Sequence, residues 1–454
     1  MCLGKHCDVI YVPSPLMGEG QGEGDLFLSD SPLTLSLSRQ GREDAFSPSK
    51  ISGGDMFRQS IYLFILLLGT TALAHAQLVE QESEPWSVRM AESVMERRPI
   101  IRERWDYEAG TVLRAIEEVW KTTGDQRYFD YIKRNVDEYV GPDGTIRTYK
   151  IEDYNLDNIN TGKLLFLLDE QTDDERYRLA ANTLHQQLQN QPTTSEGGYW
   201  HKQRYPYQMW LDGLYMAEPF AARYALEWGD PAHVEEALDH VALQYALAAR
   251  YLRDPATGLF YHGWDEAKEQ VWADSLTGRS ANFWGRAMGW YAMALVDVLD
   301  VFPEEHPERD QVVRMLQLYA EAVSKVQDPV TGVWYQILDQ PNREGNYLEA
   351  SASSMFVYML AKGVRKDYLD TKYMDIARRG YEGLIEQFIT EENGLVSINR
   401  VVSVGGLGGD NDRDGSFAYY LSEPVISNDP KGVGPFILAS LEIEAADATM
   451  SEKR

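Results

Sequence analysis

Cysteine is nearly absent from this 454-residue sequence, and its two cysteines, Cys2 and Cys7, lie close to the first residue. We expect no metal site from Cys2, His6 and Cys7, because all three precede a predicted export signal. Without further thiols, the rest of the chain has no disulfide, no thiolate zinc site and no cysteine nucleophile. We therefore predict no metal and no cofactor, and we expect stability to come from burial.

Basic residues are scarce relative to acidic ones: 43 Lys and Arg stand against 71 Asp and Glu, giving a net charge of -28 at pH 7. Such a charge excludes nucleic acid and anionic membranes as expected partners. An acidic ligand would have to be bound by a local cluster of basic groups. No phosphate-binding loop and no Gly-x-Ser-x-Gly elbow occurs, which argues against nucleotide enzymes and serine esterases.

Long apolar runs are also rare, and the informative one covers residues 61–68. It follows Arg58 and precedes Ala74-His75-Ala76, a small-residue cleavage site. The run is short for a bilayer span, so we predict a signal peptide over residues 56–76 and a secreted or periplasmic product with no membrane anchor. Residues 1–55, rich in Gly, Ser and Pro, are interpreted as a spurious upstream extension.

The remaining sequence repeats a pattern of two amphipathic helices and a glycine-bearing turn, and Asp-Pro-x-Thr-Gly occurs at residues 254–258 and 328–332. The more apolar helices are predicted to begin near Asp106, Asp157, Asp212, Asn282, Ser351 and Gly432. Residues 82–98 supply the first outer helix. Because no distinct polar capping repeats are present, a closed array is favoured over an open solenoid. We predict that residues 77–454 form a single all-α catalytic domain, an (α/α)6 toroid.

In such a toroid every inner helix begins at the same end, so side chains at these starts would share one pocket. Asp212 follows Trp210 and the basic pair His201 and Lys202. An aspartate among aromatic rings is favoured in its protonated form, as a general acid requires. The alternative is that Asp212 only caps its helix.

Asp157 has the corresponding position in the preceding repeat. Two carboxyl groups in one pocket titrate as a coupled pair, in which the more buried one retains its proton longer. Helix capping is again the alternative interpretation.

Arg286 and Trp290 are four residues apart and therefore lie on one helix face. A guanidinium beside an indole suits the carboxylate and ring of an acidic sugar. The alternatives are core packing for Trp290 and, for Arg286, a salt bridge to Asp297 or another acidic residue.

Several separated segments resemble the motifs of glycoside hydrolase family 105, the unsaturated rhamnogalacturonyl hydrolases. These segments are DNIN at 157–160, WLDGLYM at 210–216, HGWD at 262–265, WGRAMGW at 284–290, YYLS at 419–422 and NDPKGVGPF at 428–436. The resemblance spans roughly residues 86–442 in the expected order. One departure is Ala350, where the family pattern has threonine.

The resemblance implies a six-hairpin toroid that removes a terminal 4,5-unsaturated uronic acid from oligosaccharides made by polysaccharide lyases. Asp212 would protonate C4 of the sugar, and water deprotonated by the same group would add at C5. Asp157 would orient substrate or water. The implied substrate-binding residues are Tyr107, His201, Lys202, Trp210, His262, Arg286 and Trp290.

Two other functions remain compatible with these residues. A conventional inverting glycosidase would also use Asp212 and Asp157 as its two carboxyl groups. A non-catalytic carbohydrate-binding protein would use the same pocket for affinity alone.

Overall fold

Paired helices make up most of the computed structural model, which describes residues 84–409 and 413–452. The predicted signal peptide, the upstream extension and Cys2, His6 and Cys7 lie outside these residues. The described helices are α1 (Trp86–Arg97), α2 (Tyr107–Thr123), α3 (Gln126–Asp137), α4 (Lys163–Thr172), α5 (Arg176–Gln189), α6 (Leu211–Glu227), α7 (Val234–Leu252), α8 (Gly285–Leu299), α9 (Arg309–Lys325), α10 (Ala350–Arg365), α11 (Lys372–Phe388), α12 (Phe417–Ser422) and α13 (Pro430–Glu452).

Six of these helices form a closed inner ring: α2, α4, α6, α8, α10 and α13. The 3-10 helix Leu156–Gly162 leads into α4 and packs between α2 and α6, and α13 returns to pack on α2. Every residue of α8 is buried, as expected for a helix surrounded by others. The outer ring consists of α1, α3, α5, α7, α9 and α11, which bury one face each. The all-α toroid is thus confirmed, with five of the six inner helices beginning within three residues of their predicted starts. The exception is α4, which begins at Lys163, because the residues from Leu156 to Gly162 form a 3-10 helix instead.

The Asp-Pro-x-Thr-Gly segments close the hairpins in the same way. Asp254 accepts a hydrogen bond from the amide of Thr257 at 2.8 Å, and the corresponding distance in residues 328–332 is 2.7 Å. Gly258 then has a φ of 79°, a left-handed conformation that glycine adopts without steric cost. These local bonds explain why the motif occurs at equivalent turns.

Three pairs of short antiparallel strands lie in the connections between the helices. The pairs are β1 (Gln208–Trp210) with β2 (Gly263–Asp265), β3 (Ile389–Glu392) with β4 (Leu395–Ile398), and β5 (Val401–Val402) with β6 (Val425–Ile426). In the first pair Trp210 lies opposite Gly263. This register brings the start of α6 next to His262, whose carbonyl accepts from the Leu211 amide at 3.0 Å.

None of the helices in the described part of the chain combines the length and apolar character needed to cross a membrane.

Candidate active site

The two predicted carboxyl groups do not cap helices. The residue preceding α6 is Trp210, with no side-chain capping bond, so Asp212 lies inside the first turn. At the 3-10 helix the cap is Asn155, whose side chain accepts from the Asp157 amide at 3.1 Å. The capping interpretation is therefore wrong for both residues, which leaves both carboxylates available to other groups.

Asp157 lies in a cluster of basic side chains. One oxygen contacts the Lys202 ammonium group, and the other is 3.4 Å from Nε2 of His201. Burial acts to raise the pKa of Asp157, but the nearby charge of Lys202, with His201, holds it below its usual value. Asp157 is therefore ionised across the neutral range.

Asp212 has a different environment. Its Oδ2 atom is 3.2 Å from Nε2 of His262, a fully buried imidazole. The Asp212 side chain is 13% exposed, so one part of the carboxyl group remains accessible. Among the residues described, no lysine or arginine forms an ion pair with it, in contrast to Asp157.

Trp210 contacts both of the histidines that face the two carboxyl groups, His201 and His262. Its indole is stacked between the rings of His201 and Tyr205, at centroid distances of 4.5 and 4.9 Å. Burial lowers the pKa of His201 to about 4, so this imidazole is neutral at neutral pH. Gly213 keeps space for the stack, because a Cβ atom there would lie 3.3 Å from Nδ1 of His201.

Arg286 is buried and is anchored by the backbone rather than by an acid. One guanidinium nitrogen donates to the Val402 carbonyl in β5, and the group lies over the Trp284 ring at 5.0 Å. The alternative salt bridge to Asp297 is not formed, because Asp297 pairs with Lys362 at 2.7 Å.

We expected the indole of Trp290 to lie beside the Arg286 guanidinium, but the ring found there is that of Trp284. Trp290 is stacked on Tyr215 at 5.0 Å and meets the edge of Tyr107 at 6.1 Å. Trp290 instead packs against Tyr107 and Tyr215 as a buried residue, which agrees in part with the core-packing alternative.

Tyr107 begins α2 and reaches the same pocket. Burial, with the nearby carboxylates of Glu108 and Asp157, holds its pKa well above the usual value, so the phenol remains protonated. A cavity of about 470 Å³ is lined by Tyr107, Asp157 and Lys202, with Arg104 and Arg204 among the other lining residues. The same lining includes four acidic residues, Asp106, Glu152, Asp153 and Asp157, against three basic ones. It does not include Asp212, His262 or Arg286.

A larger cavity of about 990 Å³ lies between the outer helices α5 and α7 and includes His185, Tyr199 and His240 in its lining. None of the predicted site residues lines it. Volume alone does not identify the functional pocket here.

Two residues that contact the predicted site residues were given no role from the sequence, although Tyr420 lies in one of the segments that resemble the family. Tyr420 lies 2.8 Å from Nδ1 of His262, and Tyr205 stacks on Trp210. Both residues stand next to aromatic motifs, but Tyr420 is separated from His262 by 158 residues in the chain. A motif reveals the residue type at such positions and gives no information about its distant partner.

Comparison with known proteins connects this geometry to a family. Residues 86–446 match the model of Glycosyl Hydrolase Family 88. A solved glycoside hydrolase of family 105 from C. acetobutylicum is 46% identical, covers 80% of this chain and 100% of its own, and has a TM-score of 0.78.

Two curated relatives carry names that describe an activity. An unsaturated rhamnogalacturonyl hydrolase of Bacillus subtilis is 28% identical over 328 residues, which are 71% of this chain and 86% of that protein. An unsaturated 3S-rhamnoglycuronyl hydrolase of Alteromonas is 27% identical over 197 residues, 43% of this chain and 44% of that protein. With a family model that matches most of its length, the chain belongs to glycosyl hydrolase family 88, together with its family 105 relatives, and is a glycoside hydrolase.

Proposed function

We propose that this glycoside hydrolase removes a terminal 4,5-unsaturated uronic acid residue from oligosaccharides released by polysaccharide lyases. The observation that carries the proposal is the unequal environment of two carboxyl groups, one paired with Lys202 and one facing the buried imidazole of His262. The relatives named for unsaturated uronyl substrates support the substrate class.

In this reaction the C4=C5 double bond and the ring oxygen form an enol ether. Asp212 donates its proton to C4, and the positive charge that develops at C5 is stabilised by the ring oxygen. Water then adds at C5 and gives its proton back to Asp212, so the carboxyl group is regenerated. The resulting hemiketal opens, and the leaving sugar is released from C1.

The other site residues receive roles from their surroundings. Asp157, kept ionised by Lys202, orients the water or a sugar hydroxyl. Arg286 supplies the charge that a uronate carboxylate requires, and a buried guanidinium is favourable for it because hydrogen bonds to charged groups are the strong ones. We assign Trp210 to the sugar ring and Tyr107 to the pocket entrance.

A conventional inverting glycosidase is the second candidate, because two carboxyl groups on one pocket are also its requirement. The two candidates differ in the bond they need. Only the proposed reaction depends on a C4=C5 double bond in the substrate, whereas inverting hydrolysis acts on saturated sugars.

The test uses a panel of oligosaccharides made by lyases, with rhamnose or other sugars next to the unsaturated uronate. The loss of ultraviolet absorbance of the C4=C5 bond would measure turnover of the unsaturated substrates. The release of reducing ends would measure turnover of saturated oligosaccharides of the same length, which serve as controls. We expect turnover of unsaturated substrates alone. Turnover restricted to saturated ones would establish the inverting glycosidase, and binding without any turnover would establish a carbohydrate-binding protein.

We also propose that the enzyme is exported. The support is the order of Arg58, the apolar residues 61–68 and the Ala74-His75-Ala76 site in the sequence. Export would place the enzyme where extracellular or periplasmic lyases release its substrates.

A further inference from the structure

His262 is held from both sides of its ring. Its Nδ1 atom lies 2.8 Å from the Tyr420 hydroxyl, and its Nε2 atom lies 3.2 Å from Oδ2 of Asp212. The imidazole is fully buried. In the part of the chain that the structure describes, its Nε2 atom and Oδ2 of Asp212 form no hydrogen bond with any group, so two buried polar atoms without partners lie 3.2 Å apart. The three groups thus form a line from α12 to the first turn of α6.

Tyr420 is fixed in place from several directions. Its ring stacks on Trp284 at 5.4 Å, and its carbonyl accepts from the side chain of Gln336 at 3.1 Å. The residue is fully buried, so its hydroxyl has no access to bulk water. A phenol held in this way keeps its direction toward the imidazole.

The direction of the proton in each bond follows from chemistry. Burial holds the pKa of Tyr420 well above its usual value, so the phenol retains a proton to donate. A neutral imidazole that accepts at Nδ1 carries its own proton at Nε2. That N–H then faces Oδ2 of Asp212, whereas the opposite tautomer would direct the Nε2 lone pair at the same oxygen.

We propose that Tyr420 is a positioning residue for Asp212, acting through His262. By donating to Nδ1, the phenol fixes the imidazole as the tautomer with a proton on Nε2, and the N–H holds Oδ2. Oδ1 is then the oxygen that carries the proton to the substrate and takes it back. The kinetic part of this inference rests on the proposed function, whereas the tautomer does not.

Other titratable groups face this line. His201 interacts electrostatically with both His262 and Asp212, and Asp414 with Tyr420. The remaining neighbours of the imidazole are the aromatic rings of Trp210 and Trp284. A comparison of variants must therefore be made at one neutral pH, at which His201 remains uncharged.

The first experiment needs no substrate. Protein with ¹⁵N-labelled histidine rings would give one pair of ring resonances for each of its eight histidines, and a His262→Gln variant identifies those of His262. We expect the wild type to show Nδ1 without a proton and Nε2 with one. A proton on Nδ1 would overturn the proposal whatever the enzyme turns over.

The second experiment measures kinetics. Tyr420→Phe removes only the hydroxyl, and we expect kcat to fall by about 10–100-fold with KM nearly unchanged, the range found for outer partners of functional histidines. Because the phenol acts through the imidazole, Tyr420→Phe should add little to the effect of His262→Gln. In Tyr420→Phe the His262 resonances should show a mixture of tautomers.

Tyr224→Phe is the matched control. Its hydroxyl makes a hydrogen bond of equal length, 2.8 Å, to Asn182 on the outer side of α6. We expect it to leave kcat and the His262 resonances unchanged. Wild-type kcat in Tyr420→Phe, or full additivity with His262→Gln, would overturn the positioning role even if the wild type is active on unsaturated substrates.

Discussion

The ammonium group of Lys202 contacts a carboxylate oxygen of Asp157, and this contact distinguishes the two carboxyl groups of the site. Burial alone would raise the pKa of Asp157, but Lys202 and His201 hold it low. Asp212 faces the imidazole of His262 instead. The two carboxyl groups therefore have different partners, which is the physical basis for giving them different roles.

Asp212→Asn should abolish most of the turnover and leave substrate binding intact. Asparagine has the same shape but no proton to exchange, and general acid–base catalysis contributes about 10²–10⁴-fold. The upper end is expected because one group serves both steps. Ultraviolet absorbance would measure kcat, and calorimetry on the same protein would measure affinity.

Asp230→Asn serves as the control for this change, because Asp230 is exposed at the start of the outer helix α7. If Asp212→Asn kept more than about a tenth of the wild-type kcat, the proton would have to come from another group, with Asp157 tested next.

Lys202→Met should shift the acid side of the pH profile to higher pH. The nearest cation to Asp157 disappears, so the pKa of Asp157 rises and a higher pH is needed to ionise it. The measurement is kcat/KM as a function of pH.

Lys325→Met is a suitable comparison for Lys202→Met, since Lys325 pairs with Glu321 on an exposed helix face. An unchanged acid limb in Lys202→Met would mean that Asp157 does not control it.

Arg286→Lys should weaken the productive binding of the uronate. Lysine retains the charge but lacks the planar guanidinium that contacts both the Val402 carbonyl and the Trp284 ring. Hydrogen bonds to charged groups contribute about 1.5–3 kcal/mol, so kcat/KM should fall by about 10–100-fold. Arg223→Lys, on a partly exposed face of α6, should have no such effect. Equal kcat/KM in Arg286→Lys and the wild type would contradict the assignment.

His201 should make the folded state less stable at mildly acidic pH. Its pKa is lowered from 6.5 to about 4, so between these values the unfolded state binds more protons. The free energy of unfolding is unaffected by His201 above pH 6.5, decreases as the pH falls below this value, and levels off near pH 4. At about 1.4 kcal/mol per pKa unit this amounts to about 3 kcal/mol.

His201→Asn should therefore flatten the dependence of the unfolding free energy on pH over this range, as measured by urea denaturation at several pH values. His185 and His240 also have lowered pKa values, so some slope should remain. The exposed His233→Asn should show the full wild-type slope. A slope in His201→Asn identical to that of the wild type would show that His201 is protonated in the folded state.

Export should release a protein that begins at or near Gln77. The cleavage site Ala74-His75-Ala76 predicts this end, and initiation at Met56 would make residues 1–55 unnecessary for it. N-terminal sequencing of the protein from the culture medium or periplasm would identify the end. Exported protein that begins before Met56 would contradict the proposed start.

The helical architecture could be predicted because its signals are local. Apolar periodicity, the turn aspartates and the glycines act within a few residues, and they located six inner helices and the first outer helix. The direction of each inner helix then places its start at one end of the ring, and on this basis the sequence predicts that Asp212 and Asp157 share one pocket. That shared pocket stays a prediction.

Tertiary structure decided the partners of those residues. The carbonyl that anchors Arg286 lies in β5, 116 residues further along the chain, and the phenol that meets His262 lies in α12, 158 residues further along. A side chain such as Asp212 looks the same in sequence whether it caps a helix or faces an imidazole, because both positions lie one residue from the helix start. The strand register between Trp210 and Gly263 separates these cases, since hydrogen bonds between distant segments set the final direction of each carboxyl group.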